Sequence, residues 1–184
     1  LEKEKIQDLL DELERIPERV EEALLGNDIV KELAEKLKDS KNFIYLGRGY
    51  GFPLALEGAL KLKEISYIHA EGIPAGEMKH GTIALVDEHM PVLFIANQGA
   101  SYKKVINSIM EVKARKAIII AIITKGDEQA KKLSDYFVEI PKTSDLMMPL
   151  VASVPLQLLA YHIARLQGCD IDKPRNLAKS VTVE

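Results

Sequence analysis

Short, uninterrupted aliphatic runs alternating with helical stretches constrain this chain most. Asn42–Leu46, Val92–Ala96 and Ala117–Thr124 carry almost no polar residue, and Tyr136–Ile140 is a fourth such run. A strand exposed on one face alternates apolar and polar residues; a continuous run of this kind suits a strand covered on both faces, as in a parallel sheet. Between the runs lie helical patterns, from Pro53 to about Tyr67, near Tyr102–Arg115 and near Glu128–Ser134. A second extended segment is expected at His69–Pro74, followed by a turn or short helix at Gly76–His80. Strands alternating with helices imply a three-layer α/β/α sandwich with right-handed crossovers.

The first forty residues read as helix. Ile6, Leu9, Leu13, Ile16, Val20 and Leu24 recur every three or four positions, with Pro17 marking a break or a second start. Gly26-Asn27-Asp28 is a stop-and-cap signal, after which Ile29, Leu33 and Leu37 form the stripe of another helix. Near the other end, Leu146–Gln167 is long and apolar, yet holds Ser153, Gln157, His162, Arg165 and two prolines. A core helix packed on the sheet is the better reading than a membrane span. Residues 1–40 are therefore expected as N-terminal helices, 41–168 as the α/β domain, and 169–184 as a tail.

With 47% hydrophobic residues in a chain of 184, a packed body is expected. The net charge of -3, without a basic stripe, and the absence of Trp argue against nucleic-acid binding. Nothing at the start reads as a signal peptide. The single Cys169 has no intrachain partner, which fits a reducing cytoplasm.

In such folds ligands sit beyond the carboxyl ends of the strands. Two loops there are glycine-rich, Gly47–Gly51 and Asn97–Ser101. Each either presents backbone N–H groups to an anion or simply makes a tight turn. The first is not a dinucleotide fingerprint, because its third glycine falls too early and no acidic partner follows. On the helix from Pro53, Glu57, Lys61 and Glu64 share one face by their spacing of four and three. They are either solvated pairs or a lysine-flanked carboxylate poised as a base for proton transfer between sugar carbons. His80, within Glu77-Met-Lys-His-Gly81, is either a proton shuttle or a loop histidine with a structural hydrogen bond. None of the four histidines has metal-ligand spacing. Lys179 lies in a tail that mixes apolar and cationic residues; a lysine desolvated there would be a nucleophile toward a carbonyl.

Three segments, taken together, carry a resemblance. They are Ala55–Glu71 with Ala75–Gly81, then Val154–His162, then Asp172–Glu184, ending in PRNLAKSVTVE. In this order the chain resembles the C-terminal sugar-isomerase (SIS) subdomain of the glutamine–fructose-6-phosphate aminotransferases (isomerising), the glucosamine-6-phosphate synthases. The match covers essentially the whole chain. The resemblance implies a five-stranded parallel sheet between helices and a cytoplasmic enzyme of amino-sugar biosynthesis that turns fructose 6-phosphate into glucosamine 6-phosphate. It also implies roles. Lys179 matches the lysine that forms a Schiff base with the open-chain sugar, and Glu64 the base that moves the proton between C1 and C2. His80 matches a ring-opening histidine that reaches into a neighbouring subunit's site. Lys61 matches a cation near the enediol, and Ala178 lies beside the sugar through its backbone. No metal or organic cofactor is implied, because the lysine imine itself acidifies the C–H bond.

The chain departs from the family pattern in what it lacks. No glutaminase domain with its cysteine nucleophile is present, and the Ser/Thr-rich loops that hold the sugar phosphate belong to a first SIS subdomain. Thr82 replaces a proline common after the His-Gly pair. The expected partners are thus the phosphosugar, those two missing domains and a second copy, since a lone SIS unit would expose apolar surface. Two rivals stay open: a non-catalytic phosphosugar-binding module, and a related isomerase or deaminase.

Overall fold

The computed structural model describes residues 3–177. Three helices open the chain, α1 (Lys3–Glu14), α2 (Ile16–Leu24) and α3 (Asn27–Leu37). The rest alternates: β1 (Asn42–Gly47), α4 (Gly51–Ser66), β2 (His69–Pro74), β3 (Pro91–Ala96), α5 (Tyr102–Lys113), β4 (Ile118–Thr124), α6 (Glu128–Leu133), β5 (Tyr136–Ile140) and α7 (Met148–Leu166). Two short 3-10 turns, Met78–His80 and Thr82–Leu85, lie between β2 and β3.

All five strands pair in parallel, in the order β2-β1-β3-β4-β5. Parallel neighbours need crossovers, and right-handed crossovers put helices on opposite faces once the winding reverses. It reverses after β2. One core accordingly joins α3, α4 and α7 to residues such as Tyr45, Leu93 and Ile122, while the other joins α5 to Leu46, Phe94 and Ile119. Strand β3 is buried at every position, as its unbroken apolar run requires.

The long apolar helix α7 packs against α2, α3 and α4. Leu156, Leu159 and Ile163 on it are buried, each contributing about 1.5–3 kcal/mol relative to exposure. Pro155 sits inside this helix without breaking it. No helix among the described residues is long and apolar enough to cross a membrane.

The N-terminal helices bury progressively more. On α3, Val30, Leu33, Ala34 and Leu37 are buried, while Ile29, expected in the stripe, is half exposed. Leu33 and Leu37 are thus buried as expected, and Val30 takes the place of Ile29. On α2 only Ala23 is buried, and α1 buries nothing, leaving Ile6, Leu10 and Leu13 exposed.

Two glycines set the position of α4. A Cβ on Gly47 would lie 2.0 Å from the Gly51 carbonyl oxygen, so the β1–α4 turn closes only without one. A Cβ on Gly72 would lie 2.7 Å from both the Cα and the N of Leu56, so β2 packs directly on the backbone of α4.

Candidate active site

Helix α4 leaves β1 at the carboxyl edge of the sheet and ends at Ser66. Its 3.6-residue period puts Glu57, Lys61 and Glu64 side by side. Lys61 Nζ donates to Glu64 Oε2 at 2.6 Å and lies 3.8 Å from Glu57 Oε1. The hydrogen bond to Glu64 is the main cause that raises the Lys61 pKa above its ordinary value, against a smaller opposing effect of burial. The ammonium is thus held protonated. The lysine is not buried: its side chain is 34% exposed, Glu64 29% and Glu57 41%. Beside them Leu56 and Leu60 are also exposed, so this face of α4 is open in the single chain.

The helix stops on Tyr67, which adopts the left-handed conformation at φ 60, ψ 12. Glycine usually takes this position; a tyrosine there costs about 1 kcal/mol or more. Its ring and hydroxyl both meet the chain's far end. The backbone N–H of Arg175 donates to the Tyr67 hydroxyl at 2.9 Å, and the Arg175 guanidinium sits 4.0 Å from the ring centroid. Lys63, Glu64, Tyr67, Arg175, Asn176 and Leu177 line one shallow depression of about 250 Å³. Ala178 and Lys179 lie outside the described residues.

His80 stands elsewhere, on the 3-10 turn after β2. Its ring is 74% exposed, with Nε2 3.9 Å from Glu77 Oε2. No hydrogen bond or ion pair among the described residues joins it to Lys61 or Glu64. His162, read as a satisfied core residue, meets Asn27 Oδ1 at 2.8 Å and is buried. Burial first, then the Lys31 and Arg165 charges, lowers its pKa.

The two glycine-rich loops come together at the switch point between β1 and β3, around a cavity of about 150 Å³ lined by Arg48, Tyr50, Asn97, Ser101 and Asp145 among others. This cavity is separate from the Lys61–Glu64 face. Its anion seat is taken by the chain itself. Asp145 Oδ2 accepts the Ala100 N–H at 2.9 Å, and Oδ1 accepts from Asn97 Nδ2 at 3.3 Å. A Cβ on Gly99 would collide with that carboxylate at 1.8 Å. Sequence reasoning passed over Asp145, Tyr67 and Arg175. The one available signal was a helix ending at tyrosine with no glycine after it; Asp145 reaches its loop from 48 positions away in sequence.

The SIS domain family matches residues 36–166. The glutamine–fructose-6-phosphate aminotransferase (isomerizing) of Chlorobaculum tepidum is 57% identical over 175 residues, 95% of this chain and 28% of that protein. Among solved structures, the C-terminal domain of glucosamine-fructose-6-phosphate aminotransferase from Francisella tularensis is 38% identical with a TM-score of 0.88. The match covers 94% of this chain and 49% of that one. Glucosamine-6-phosphate deaminase from Thermotoga maritima is 26% identical, with a TM-score of 0.71 over 92% of this chain and 50% of that one. The chain therefore spans under a third of the curated relative's length and about half of each solved one. Doubly wound order, glycine-closed turns and sequence agree, and the chain belongs to the SIS domain family.

Proposed function

We propose that this chain is the second sugar-isomerase unit of a cytoplasmic glutamine–fructose-6-phosphate aminotransferase, and that it carries the acid–base and Schiff-base residues of that enzyme. The observation that carries the reading is the Lys61–Glu64 contact of 2.6 Å on one face of α4, with the start of the C-terminal tail clasped at the end of the same helix. The 57% identity over nearly the whole chain supports it.

In this reading the Lys179 amine attacks the C2 ketone of open-chain fructose 6-phosphate, and water leaves as the imine forms. Ammonia from a glutaminase domain elsewhere in the parent displaces the lysine and keeps the C2 imine. Glu64 takes a proton from C1 and returns it to C2; the imine nitrogen gains one proton and the C1 hydroxyl loses one, leaving the amine and the aldehyde of glucosamine 6-phosphate. Lys61, kept protonated by Glu64, offsets negative charge at the sugar oxygen on C1. His80, exposed and away from Glu64, opens the sugar ring in a neighbouring copy of a homodimer, and the Ala178 backbone lies against the sugar. The phosphate is held by a first SIS unit elsewhere in the parent.

The test is borohydride reduction of the chain mixed with fructose 6-phosphate, alone and with the upstream half of a parent enzyme added. A sugar adduct mapped to Lys179, absent in Lys179→Arg, is expected. Glu64→Gln should keep the adduct and lose exchange of the C1 proton in heavy water. No adduct even with the upstream half would sink the reading and favour a binding module. The likeness to the Thermotoga deaminase motivates a second reading, which net release of ammonia from glucosamine 6-phosphate would favour.

A further inference from the structure

The geometry points to Tyr67 as the anchor that fastens the C-terminal tail to α4, a positioning residue for the nucleophilic lysine four residues beyond Arg175; the positioning role rests on the Schiff-base reading above. Three observations converge on it. First, Tyr67 takes a left-handed conformation at the end of α4, where a glycine would cap the helix with no steric conflict. Secondly, the conformation aims the side chain at the tail, where it makes two different contacts with one residue. The hydroxyl accepts the Arg175 backbone N–H at 2.9 Å, and the ring faces the guanidinium at 4.0 Å. Thirdly, the clasped segment lines the same depression as Glu64, which lies one helical turn before Tyr67.

The chain's path makes such a fastening necessary. After α7 ends, Gly168 turns at φ 73, and the Asp170 carboxylate accepts the N–H groups of Asp172 and Lys173. Those bonds shape a local turn but tie it to nothing else. Among the hydrogen bonds of the described residues, Arg175 to Tyr67 is the one that joins residues 170–177 to another element. Four residues span at most about 14 Å, so with Arg175 fixed the reach of the chain to position 179 is a sphere of that radius, and Glu64, which lines the same depression as Arg175, falls within it. Release of Arg175 enlarges that sphere, and the fraction of chains with amine and base in register falls.

Tyr67→Gly and Tyr67→Phe separate the contributions. Glycine keeps the left-handed backbone without strain, so α4 retains its end while the ring and hydroxyl are lost. Phenylalanine loses the hydroxyl alone. Trypsin must draw Arg175 off the ring to cut the Arg175–Asn176 bond, so the cleavage rate reports how often the clasp is open. Loss of residues 176–184, followed by intact mass, is expected to be about tenfold faster in Tyr67→Gly, a loss of about 1.4 kcal/mol from the closed state, with Tyr67→Phe between. In the borohydride assay with the upstream half present, Tyr67→Gly is expected to lower the trapping rate at saturating fructose 6-phosphate about tenfold and leave the half-saturating concentration unchanged. A structural defect would instead shift the unfolding midpoint along with the rate.

Equal tryptic rates in all three proteins would overturn the anchor. Faster cleavage with an unchanged saturated trapping rate would overturn the positioning role. If the parent protein traps no sugar at Lys179, the Schiff-base reading fails and the positioning role with it. The tryptic comparison still decides the anchor, which does not depend on sugar.

Discussion

Replacing Gly72 with alanine tests how α4, and with it the Lys61–Glu64 face, is held on the sheet. The new Cβ would lie 2.7 Å from the Leu56 Cα and N and 2.8 Å from the Ala55 carbonyl carbon. Ordinary contact begins at 3.4 Å, so helix and strand must separate by 3.4 minus 2.7, or 0.7 Å. All three atoms are backbone and cannot rotate aside. Nor can α4 slide away along the sheet without cost, because Gly58 on it already meets the Tyr45 ring, with only 2.9 Å left for a Cβ. Such overpacking costs about 1–3 kcal/mol. Alanine returns about 0.4–1 kcal/mol by restricting the unfolded chain. A net loss of about 1–2 kcal/mol is expected. With a urea slope of about 2 kcal/mol/M, the unfolding midpoint should fall by about 0.5–1 M. Glu71→Ala, at the exposed neighbour in β2, should stay within about 0.5 kcal/mol of the parent. A midpoint for Gly72→Ala equal to or above the parent's would refute the close-approach argument.

Asp127 caps α6, accepting the N–H groups of Gln129 and Ala130 and the Tyr102 hydroxyl through one buried oxygen. Asp127→Ala should cost about 2 kcal/mol, read as a lower urea midpoint; a change below about 0.5 kcal/mol would contradict the capping role. His162 has its folded pKa lowered from 6.5, by burial first. The unfolded chain therefore binds more protons in that window. Its contribution to stability is whole above about 6.5 and is lost as pH falls through the lowered folded value. The urea midpoint should drop between those limits and drop less in His162→Gln, and equal slopes in the two proteins would exclude His162 as the cause. Asp145→Ala should cost about 1–2 kcal/mol and free the Ala100 N–H. Inorganic phosphate should then raise the melting temperature of the variant more than that of the parent, and equal responses would count against the occupied-seat argument.

The sheet and its covering helices were legible because both period and burial are local signals. Val92–Ala96 could only be a strand covered on both faces, and every one of its residues is buried. The Glu57, Lys61, Glu64 face followed from helical spacing alone, and the ion pairs formed as the spacing required. Its exposure did not follow, since whether a face is covered depends on surfaces distant in sequence or belonging to another chain. On α3 helical spacing found Leu33 and Leu37 but took Ile29 for Val30; adjacent aliphatic residues look alike in sequence, and only packing in the core separates them. The clasp between Tyr67 and Arg175 joins residues 108 positions apart and has no periodic trace. The same holds for Asp145, whose partners at Asn97 and Ala100 are fixed by how β3 and the β5–α7 loop meet.

The carboxylate seated in the loop after β3 bears on stoichiometry. A doubly wound unit offers one natural anion seat at its switch point, and a protein built from two such units would titrate two ligands per chain if both were free. Here the seat is filled from within by Asp145, covalently tethered and so present at an effective concentration that dilute phosphate does not match. A parent holding this unit beside one with an open seat would saturate at one sugar phosphate per chain. Calorimetric titration of such a parent should then give a ratio near one, and removing the Asp145 carboxylate should open a second, weaker step.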